Sequence, residues 1–258
     1  MLATELANQV GADMLLATDP DCDRLGVAVR QKDGSFQVLT GNQIGVLLLD
    51  YILSQKTGDR KGDEFVVKSI VSTEMADVIA ARYGVELRRV LTGFKFIAEQ
   101  IKLSERTGKG TFLFGFEESF GYLSGTFVRD KDACIAATLT TEMACYYAEK
   151  GMNLYDALCA LYEKYGYFDE NGPLQDLGRQ RGDRQNPGSG QNRARQCPKE
   201  IAGYLITAYA DYLLQKQVNC ATGEESATTL PQSTCSATRS TGQLHPPPLG
   251  HRAQAEGL

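Results

Sequence analysis

Apolar and polar residues change between two spacings over the first 168 residues, and the changes predict the order of strands and helices. Short apolar runs predict strands at 14–17, 25–30, 36–39, 65–67, 85–90 and 111–114. Apolar residues three or four positions apart predict helices at 3–10, 42–57, 73–82, 94–103 and 129–147. The β-α-β-α-β order within this series predicts an α/β fold, with a parallel or mixed sheet and helices on its faces.

The segment between the first two predicted strands is strongly acidic and reads D-P-D-C-D-R over residues 19–24. In an extended segment, the carboxylates of Asp19, Asp21 and Asp23 project from the same side of the backbone. Carboxylates held this close repel one another unless a cation neutralises them, and hard oxygen ligands suit Mg²⁺. Arg24 adds a planar donor that can hold a phosphate beside the metal.

The acidic segment also fits a solvated turn and, at first sight, an EF-hand. An acidic turn exposed to solvent would have the same spacing, and it stays open from the residues alone. An EF-hand also begins D-x-D-x-D, but that loop needs Gly at its sixth position and Glu at its twelfth. Arg24 and Arg30 occupy those positions, so an EF-hand is excluded.

Two further segments follow predicted strands, where open α/β sheets bind ligands. In residues 92–95, Gly93 allows a tight turn from strand to helix and Lys95 can reach an anion; an ordinary turn with a surface lysine is the alternative. In residues 115–121, two glycines bracket two acids and a hydroxyl, a set suited to sugar hydroxyls. The alternative is that both acids are solvated.

The segment R-D-K-D at 129–132 opens the last predicted helix. Acids near the N-terminus of a helix are favoured by the macrodipole, so capping accounts for Asp130 and Asp132. A lysine is not favoured there, and Lys131 is therefore the candidate functional residue.

Composition and charge exclude several classes of function. The chain has 258 residues, 42% of them hydrophobic and 23% charged, as expected for one large or two modest globular domains. Its net charge of −5 gives no basic footprint for nucleic acid and no polybasic patch for a membrane. No apolar run approaches the ~20 residues needed to span a bilayer, and no signal peptide is predicted.

Cysteine usage predicts a reducing cytoplasm, and histidine usage argues against two kinds of site. The seven cysteines contain no C-x-x-C pair. We expect Cys22, Cys134, Cys145 and Cys159 to pack as small hydrophobic residues. The two histidines lie near the C-terminus, which argues against a histidine-based triad or a zinc site.

Five segments, in order, resemble the phosphoglucomutase/phosphomannomutase branch of the α-D-phosphohexomutase superfamily. They are ATDPDCDRLGVAV, LTGNQIGVLLLDYIL, VLTGFKFI, FGFEESFGYL and VRDKDA. The resemblance implies a four-domain fold around a central cleft. Residues 1–34 would then end the second domain, 35–168 would form the third, and 169–258 would be a disrupted α+β remnant of the fourth.

The resemblance also implies an activity and roles for particular residues. The family interconverts hexose 1-phosphates and hexose 6-phosphates through a phosphoserine, Mg²⁺ and a hexose bisphosphate, and the GFEESFGY form of its sugar loop leans towards glucose. By position, the implied metal ligands are Asp19, Asp21 and Asp23, and the implied catalytic residues are Arg24 and Lys131. The implied substrate-binding residues are Thr92, Gly93, Lys95, Glu117 and Ser119.

Two family motifs do not occur in the sequence. They are the T-A-S-H-N-P-type loop with the catalytic serine and the R-P-S-G-T-E-P loop that clamps phosphate. We therefore expect an incomplete mutase without its N-terminal serine domain. One alternative is an inactive remnant that binds Mg²⁺ or sugar phosphate without turnover. The other is a different Mg²⁺-dependent α/β phosphatase or phosphotransferase, for which Asp19 is the candidate nucleophile.

The composition changes abruptly after residue 169. Residues 171–197 are dense in Gly, Arg, Gln and Asn, with very few apolar residues. One possible set of codons for residues 247–258, read one nucleotide later, spells R-P-S-G-T-E-P. This coincidence indicates that 171–197 and 234–258 are translated out of frame; the alternative is a disordered linker and tail.

Overall fold

The structure, a computed structural model, describes residues 2–56, 61–168, 200–201, 204–211, 216–227 and 241–244. The chain divides into two compact units, Met1–Gly172 and Pro173–Leu258. The helices described in the first unit are α1 (Leu2–Val10), α2 (Gly41–Gln55), α3 (Met75–Tyr83), α4 (Phe94–Thr107), α5 (Ala133–Ala148) and α6 (Leu154–Tyr165). Its strands are β1 (Met14–Thr18), β2 (Leu25–Arg30), β3 (Phe36–Leu39), β4 (Glu64–Ser69), β5 (Glu86–Val90), β6 (Thr111–Glu117) and β7 (Gly121–Ser124).

The first three strands form an antiparallel sheet in the order β1-β2-β3. Leu25, Val27 and Val29 are buried, and the residues between them are half-buried, as the alternating pattern of β2 requires. Thr18 pairs with Leu25, so the acidic segment connects two directly paired strands. This sheet therefore fixes both ends of the acidic segment.

The second sheet has the order β5-β4-β6-β7 and is mixed, as predicted. β4 pairs in parallel with β5 and β6, whereas β7 is antiparallel to β6. Every residue of β4 is buried, which is typical of a parallel strand covered by helices on both faces. Val66 joins the larger core cluster with α2, whereas Phe65 and Val67 join a smaller cluster with α4.

Several element boundaries differ from prediction, the starts of α3 and α5 among them. Helix α3 begins at Met75, and Glu74 precedes it without a side-chain cap; the predicted cap at Ser72 or Thr73 is wrong. The Thr73 hydroxyl accepts from the Met75 N–H in a preceding turn instead. Helix α5 begins at Ala133, because Asp132 caps it. Helix α6 was not predicted as a separate element.

The largest difference lies in residues 115–121, which were predicted to be a loop after a strand. β6 continues through Glu117, and only residues 118–120 form the turn to β7. Gly115 lies within this strand. Glycine is required there because a Cβ at this position would lie 2.8 Å from Cγ2 of Ile97. The motif is therefore a β-hairpin, and its acids lie on a strand end and a tight turn.

The second unit is described as strands. They are β8 (Glu200–Ile201), β9 (Tyr204–Asp211), β10 (Lys216–Asn219), β11 (Glu225–Ala227) and β12 (Thr241–Leu244). β9 pairs antiparallel with β8, β10 and β12. The reading-frame hypothesis for 171–197 lies outside the described residues, as does the hypothesis for 234–258 except at β12. Among the described residues, no helix combines the length and apolar character needed to cross a bilayer.

Candidate metal and substrate site

The acidic segment is a tight turn and not the extended strand assumed from its spacing. The Cys22 N–H donates to the Asp19 carbonyl at 3.0 Å, and Cys22 has φ of 58°. Asp19 Oδ1 accepts from the N–H groups of Asp23 (3.2 Å) and Arg24 (3.1 Å). The turn, and not alternation along a strand, therefore brings the carboxylates together. We call residues 19–24 the acidic turn.

The three carboxylates of the acidic turn form a candidate site for a hard cation. Three carboxylate oxygens, one from each of Asp19, Asp21 and Asp23, lie within 4.8 Å of one another. Desolvation acts to raise the pKa of Asp19, but hydrogen bonds from the N–H groups of Arg24 and Asp23 together outweigh it and lower the pKa, so this carboxyl is ionised at neutral pH. A set of three carboxylates offers the oxygen ligands that Mg²⁺ and Ca²⁺ prefer.

Asp23 supplies an independent sign that a cation fits. Its Oδ1 is buried and has no hydrogen-bond partner among the described residues, and Arg24 Nε lies 3.7 Å from it. A buried carboxylate oxygen without a partner is costly. A metal ion held by Asp19, Asp21 and Asp23 would satisfy it.

Backbone hydrogen bonds join the acidic turn to two distant segments. The Leu25 N–H donates to the Phe120 carbonyl at 3.1 Å, and Arg24 forms an isolated β-bridge with Gly121. The Ala133 N–H, at the start of α5, donates to the Cys22 carbonyl at 3.2 Å. The structure thus places the acidic turn, the β6–β7 turn and the start of α5 side by side.

Lys131 lies where these three segments meet. Its Nζ is 2.8 Å from Asp23 Oδ2 and 3.3 Å from Asp130 Oδ1, and 14% of its side chain is exposed. Desolvation lowers the pKa of Lys131, but Asp23 and Asp130 outweigh that effect and the pKa is raised. Asp132 caps α5 as predicted, because it accepts from the N–H groups of Cys134 and Ile135. Asp130 does not cap the helix and pairs with Lys131 instead.

Glu117 and Gly93 are brought together by the ends of β6 and β5. Glu117 is 5% exposed, and its Oε1 accepts from the Gly93 N–H at 2.6 Å. Burial raises the pKa of Glu117, partly offset by this hydrogen bond. Gly93 has φ of 122°, a conformation that favours glycine. Glu117 is therefore not the solvated acid of the alternative interpretation.

The remaining predicted residues are accessible to a ligand. Ser119 is half-buried in the β6–β7 turn, and in the described part of the chain its hydroxyl makes no hydrogen bond. Thr92 and Lys95 are exposed, and the Lys95 Nζ lies 4.9 Å from the ring centre of Phe96. No described contact joins Thr92 or Lys95 to the acidic turn.

Sequence reasoning missed the residues that hold the β6–β7 turn. Glu118 Oε2 accepts from the buried hydroxyl of Ser69 at 2.9 Å, and Ser72 Oγ lies 3.4 Å away. A Cβ on Gly41, in the first turn of α2, would overlap the Glu118 carbonyl. The two serines at the end of β4 and just after it were the available signal, because polar side chains there face the edge of the sheet where ligands bind.

Comparisons with known proteins agree with this architecture. A family model described as phosphoglucomutase/phosphomannomutase, alpha/beta/alpha domain III, matches residues 40–165. A putative phosphomannomutase from Thermus thermophilus has a TM-score of 0.51 and 22% identity over 64% of this chain and 34% of that chain. At this identity the likeness shows the fold.

Curated relatives give the stronger similarity in sequence. Phosphoglucomutases of Staphylococcus aureus strains MSSA476 and MRSA252 are each 38% identical over 211 residues, 82% of this chain and 38% of the relative. The chain thus spans less than half the length of these relatives. The family model, these relatives and the shared fold together show that the chain belongs to the α-D-phosphohexomutase superfamily, in its phosphoglucomutase/phosphomannomutase branch.

Proposed function

We propose that the chain supplies the metal-binding and sugar-binding part of a cytoplasmic phosphoglucomutase-like enzyme, an isomerase that interconverts hexose 1-phosphate and hexose 6-phosphate. One observation carries the proposal. Three carboxylates lie within 4.8 Å of one another in the acidic turn, and the N–H of Leu25, the residue after it, donates to the Phe120 carbonyl in the turn that carries Ser119 and follows Glu117. A cation site and acceptors for sugar hydroxyls lie side by side, as a phosphorylated sugar requires.

Mg²⁺ is the proposed cofactor, held by Asp19, Asp21 and Asp23. When bound, it supplies a positive charge that stabilises a phosphoryl group during transfer. Asp19 is prearranged for a ligand role, because two backbone N–H groups fix its Oδ1. The same fixation disfavours Asp19 as a nucleophile, which argues against the alternative of a different phosphatase or phosphotransferase.

Two cationic side chains complete the proposed phosphate environment. The Arg24 side chain is 55% exposed and presents its guanidinium beside the acidic turn, where it can donate to phosphate oxygens. Lys131 holds Asp23 through the 2.8 Å ion pair and adds positive charge. Neither group has to move from its partners to act electrostatically.

The proposed sugar site lies on the β6–β7 hairpin and residues 92–95. Glu117 Oε1 is fixed by the Gly93 N–H, which leaves Oε2 to accept from a sugar hydroxyl. Ser119 adds a hydroxyl, and the exposed Thr92 and Lys95 add donors for the sugar or its phosphate. The substrates we propose are a hexose phosphate and the corresponding hexose bisphosphate.

A second candidate function is binding without turnover. The sequence contains neither the T-A-S-H-N-P-type loop nor the R-P-S-G-T-E-P loop, and the phosphoserine mechanism needs the first of these. The present chain would then bind Mg²⁺ or sugar phosphate but transfer no phosphoryl group.

Metal binding tests the proposal most directly. Titration with Mn²⁺, followed by electron paramagnetic resonance, should show binding to the full chain and competition by Mg²⁺. Asp21→Asn should weaken Mn²⁺ binding by about tenfold or more, since even residues that only orient ligands have effects of this size. Asp13→Asn, an exposed aspartate at the other end of the same hairpin, is the matched control and should leave binding unchanged.

Activity then separates the two functions. Mutase activity with a hexose 1,6-bisphosphate activator is measured on this chain and on an extended version that carries both missing loops. Activity in the extended version alone supports an incomplete mutase, and its loss in Asp21→Asn assigns the metal site. If the folded chain, with its cysteines kept reduced by dithiothreitol, did not bind Mn²⁺, the proposed site would be wrong.

A further inference from the structure

Two cysteines that are far apart in sequence meet at the edge of the acidic turn. The Sγ atoms of Cys22 and Cys134 lie 3.8 Å apart, although 112 positions separate them along the chain. Both residues are exposed, contrary to the expectation that they pack as small hydrophobic residues; Cys145 and Cys159 are exposed as well. We call the first two the Cys22–Cys134 pair.

The two backbone segments of the pair are fixed by hydrogen bonds. The Cys22 carbonyl accepts from the Ala133 N–H, and the Cys134 N–H donates to Asp132 Oδ1, the cap of α5. Both segments are thus held before the sulfurs interact. At φ of 58°, the position of Cys22 would suit Gly or Asn better, so the backbone gives no reason for a cysteine there.

We propose that the Cys22–Cys134 pair is a redox modification site, in which a disulfide-containing oxidant such as oxidised glutathione closes a bond between the two sulfurs. One cysteine thiolate attacks the oxidant and forms a mixed disulfide, releasing one reduced thiol. The second cysteine attacks the protein sulfur of that mixed disulfide and releases the other. The two protein sulfurs lose two electrons to the oxidant, and their two protons end on the released thiols.

Closing the bond alters the acidic turn, and this consequence rests on the metal site proposed above. The sulfurs must approach from 3.8 Å to about 2.05 Å, so Cys22 is drawn towards α5. Cys22 lies between Asp21 and Asp23, and Mg²⁺ tolerates little departure from octahedral geometry. The oxidised chain should therefore bind divalent cations more weakly than the reduced chain.

Peptide mapping tests the modification without reference to activity. The full chain is treated with oxidised glutathione, alkylated and digested with trypsin, which releases Cys22 in a peptide ending at Arg24 and Cys134 in a peptide beginning at Asp132. We expect these two peptides to be recovered as one disulfide-linked species. The second peptide also contains Cys145, which allows a matched pair of variants.

The linked species should persist in Cys145→Ser and disappear in Cys134→Ser. A link that survives Cys134→Ser, or a chain that forms only mixed disulfides with glutathione, would overturn the proposal. Near-ultraviolet circular dichroism before oxidation shows that each variant is folded.

Mn²⁺ binding tests the consequence. Oxidation should weaken Mn²⁺ binding by about tenfold in the wild type and in Cys145→Ser, as expected when groups that orient ligands are disturbed. Dithiothreitol should restore the affinity of the wild type. Unchanged affinity in the linked chain would overturn the coupling to the metal site. Absence of Mn²⁺ binding in the reduced chain would count against the metal site alone, because peptide mapping is scored separately.

Discussion

Gly121 leaves the space through which Lys131 reaches Asp23. A Cβ at position 121 would overlap Cδ of Lys131 and lie 2.8 Å from its Cγ. We predict that Gly121→Ala displaces the lysine and lowers the free energy of unfolding by about 1–2 kcal/mol, the lower part of the range for overpacking, because a lysine can move aside. Urea denaturation measures the change.

Gly26→Ala is the control for this prediction. Gly26 is also a strand residue, and a Cβ there would meet only the Ala17 carbonyl oxygen at an ordinary distance of 3.7 Å. An equal loss of stability in both variants would show that the effect comes from the strand backbone and not from Lys131.

Burial of Glu117 predicts a dependence of stability on pH. Because desolvation raises its pKa above the ordinary 4.5, the stability that the protonated form contributes is lost as pH rises through the folded-state pKa. Glu117→Gln can keep an oxygen for the Gly93 N–H without the buried charge. The variant should therefore gain stability relative to the wild type between about pH 4 and about pH 8 in urea denaturation.

Glu86→Gln should show the opposite trend. A hydrogen bond from Arg88 lowers the pKa of Glu86, so its contribution is present above the ordinary value and is lost as pH falls. The free energy of unfolding of the wild type should thus increase relative to that of Glu86→Gln as pH rises. If both variants had the same trend, burial would not be the cause at Glu117.

Sequence reasoning found side chains of the site more readily than the backbone that arranges them. The acidic spacing identified Asp19, Asp21 and Asp23, but the turn depends on a left-handed Cys22, which a non-glycine residue does not signal. The sequence leaves Glu118 either sugar-binding or solvated, whereas the structure pairs it with Ser72 and Ser69, which lie 46 and 49 positions away. Contacts of that range cannot be inferred from local periodicity.

At the scale of elements, most strands and helices followed from apolar spacing, and the exceptions have physical causes. The strand β6 was cut short at Phe114 because Gly115 resembled a loop residue, yet close packing against Ile97 requires glycine there. The cap of α3 was misplaced because Ser72 bonds to Ser69 and Glu118 instead of to the helix. In both cases a tertiary contact outweighed the local signal.

The junction between β4 and α3 depends on a fully buried lysine. Lys68 Nζ donates to the carbonyls of Ser72 and Thr73 and to Glu74, and lies 2.7 Å from Asp77 Oδ2 in an ion pair without hydrogen-bond geometry. Lys68→Met fills the space but removes one donor from each of these acceptors. We expect a loss of about 2 kcal/mol, since Arg89 still pairs with both acids.

Thermal and urea unfolding measure this loss, with Lys102→Met as the control. Lys102 is an exposed residue of α4, and its replacement should change stability by less than about 0.5 kcal/mol. If Lys68→Met left the free energy of unfolding almost unchanged, the cost of desolvating the buried lysine would equal the stabilisation from its partners.

At the scale of the whole molecule, every residue of the proposed site belongs to the first compact unit, Met1–Gly172. Its main core runs from Leu25 to Leu161, so the unit contains its own hydrophobic core. We predict that a chain truncated after residue 172 unfolds cooperatively in urea and binds Mn²⁺ with the affinity of the full chain. Near-ultraviolet circular dichroism and Mn²⁺ titration check both points.

Truncation after residue 150 is the informative control, because it removes α6. Leu158 is completely buried in the core, and both Tyr165 (2.6 Å) and Lys164 (3.2 Å) donate to the buried Asp50. The shorter chain would therefore expose apolar surface and leave Asp50 without these two donors. Cooperative unfolding should be retained in the first truncation and lost in the second. If the chain ending at residue 172 also unfolded without cooperativity, the first unit would depend on residues 173–258, and the metal site would have to be studied only in the full chain.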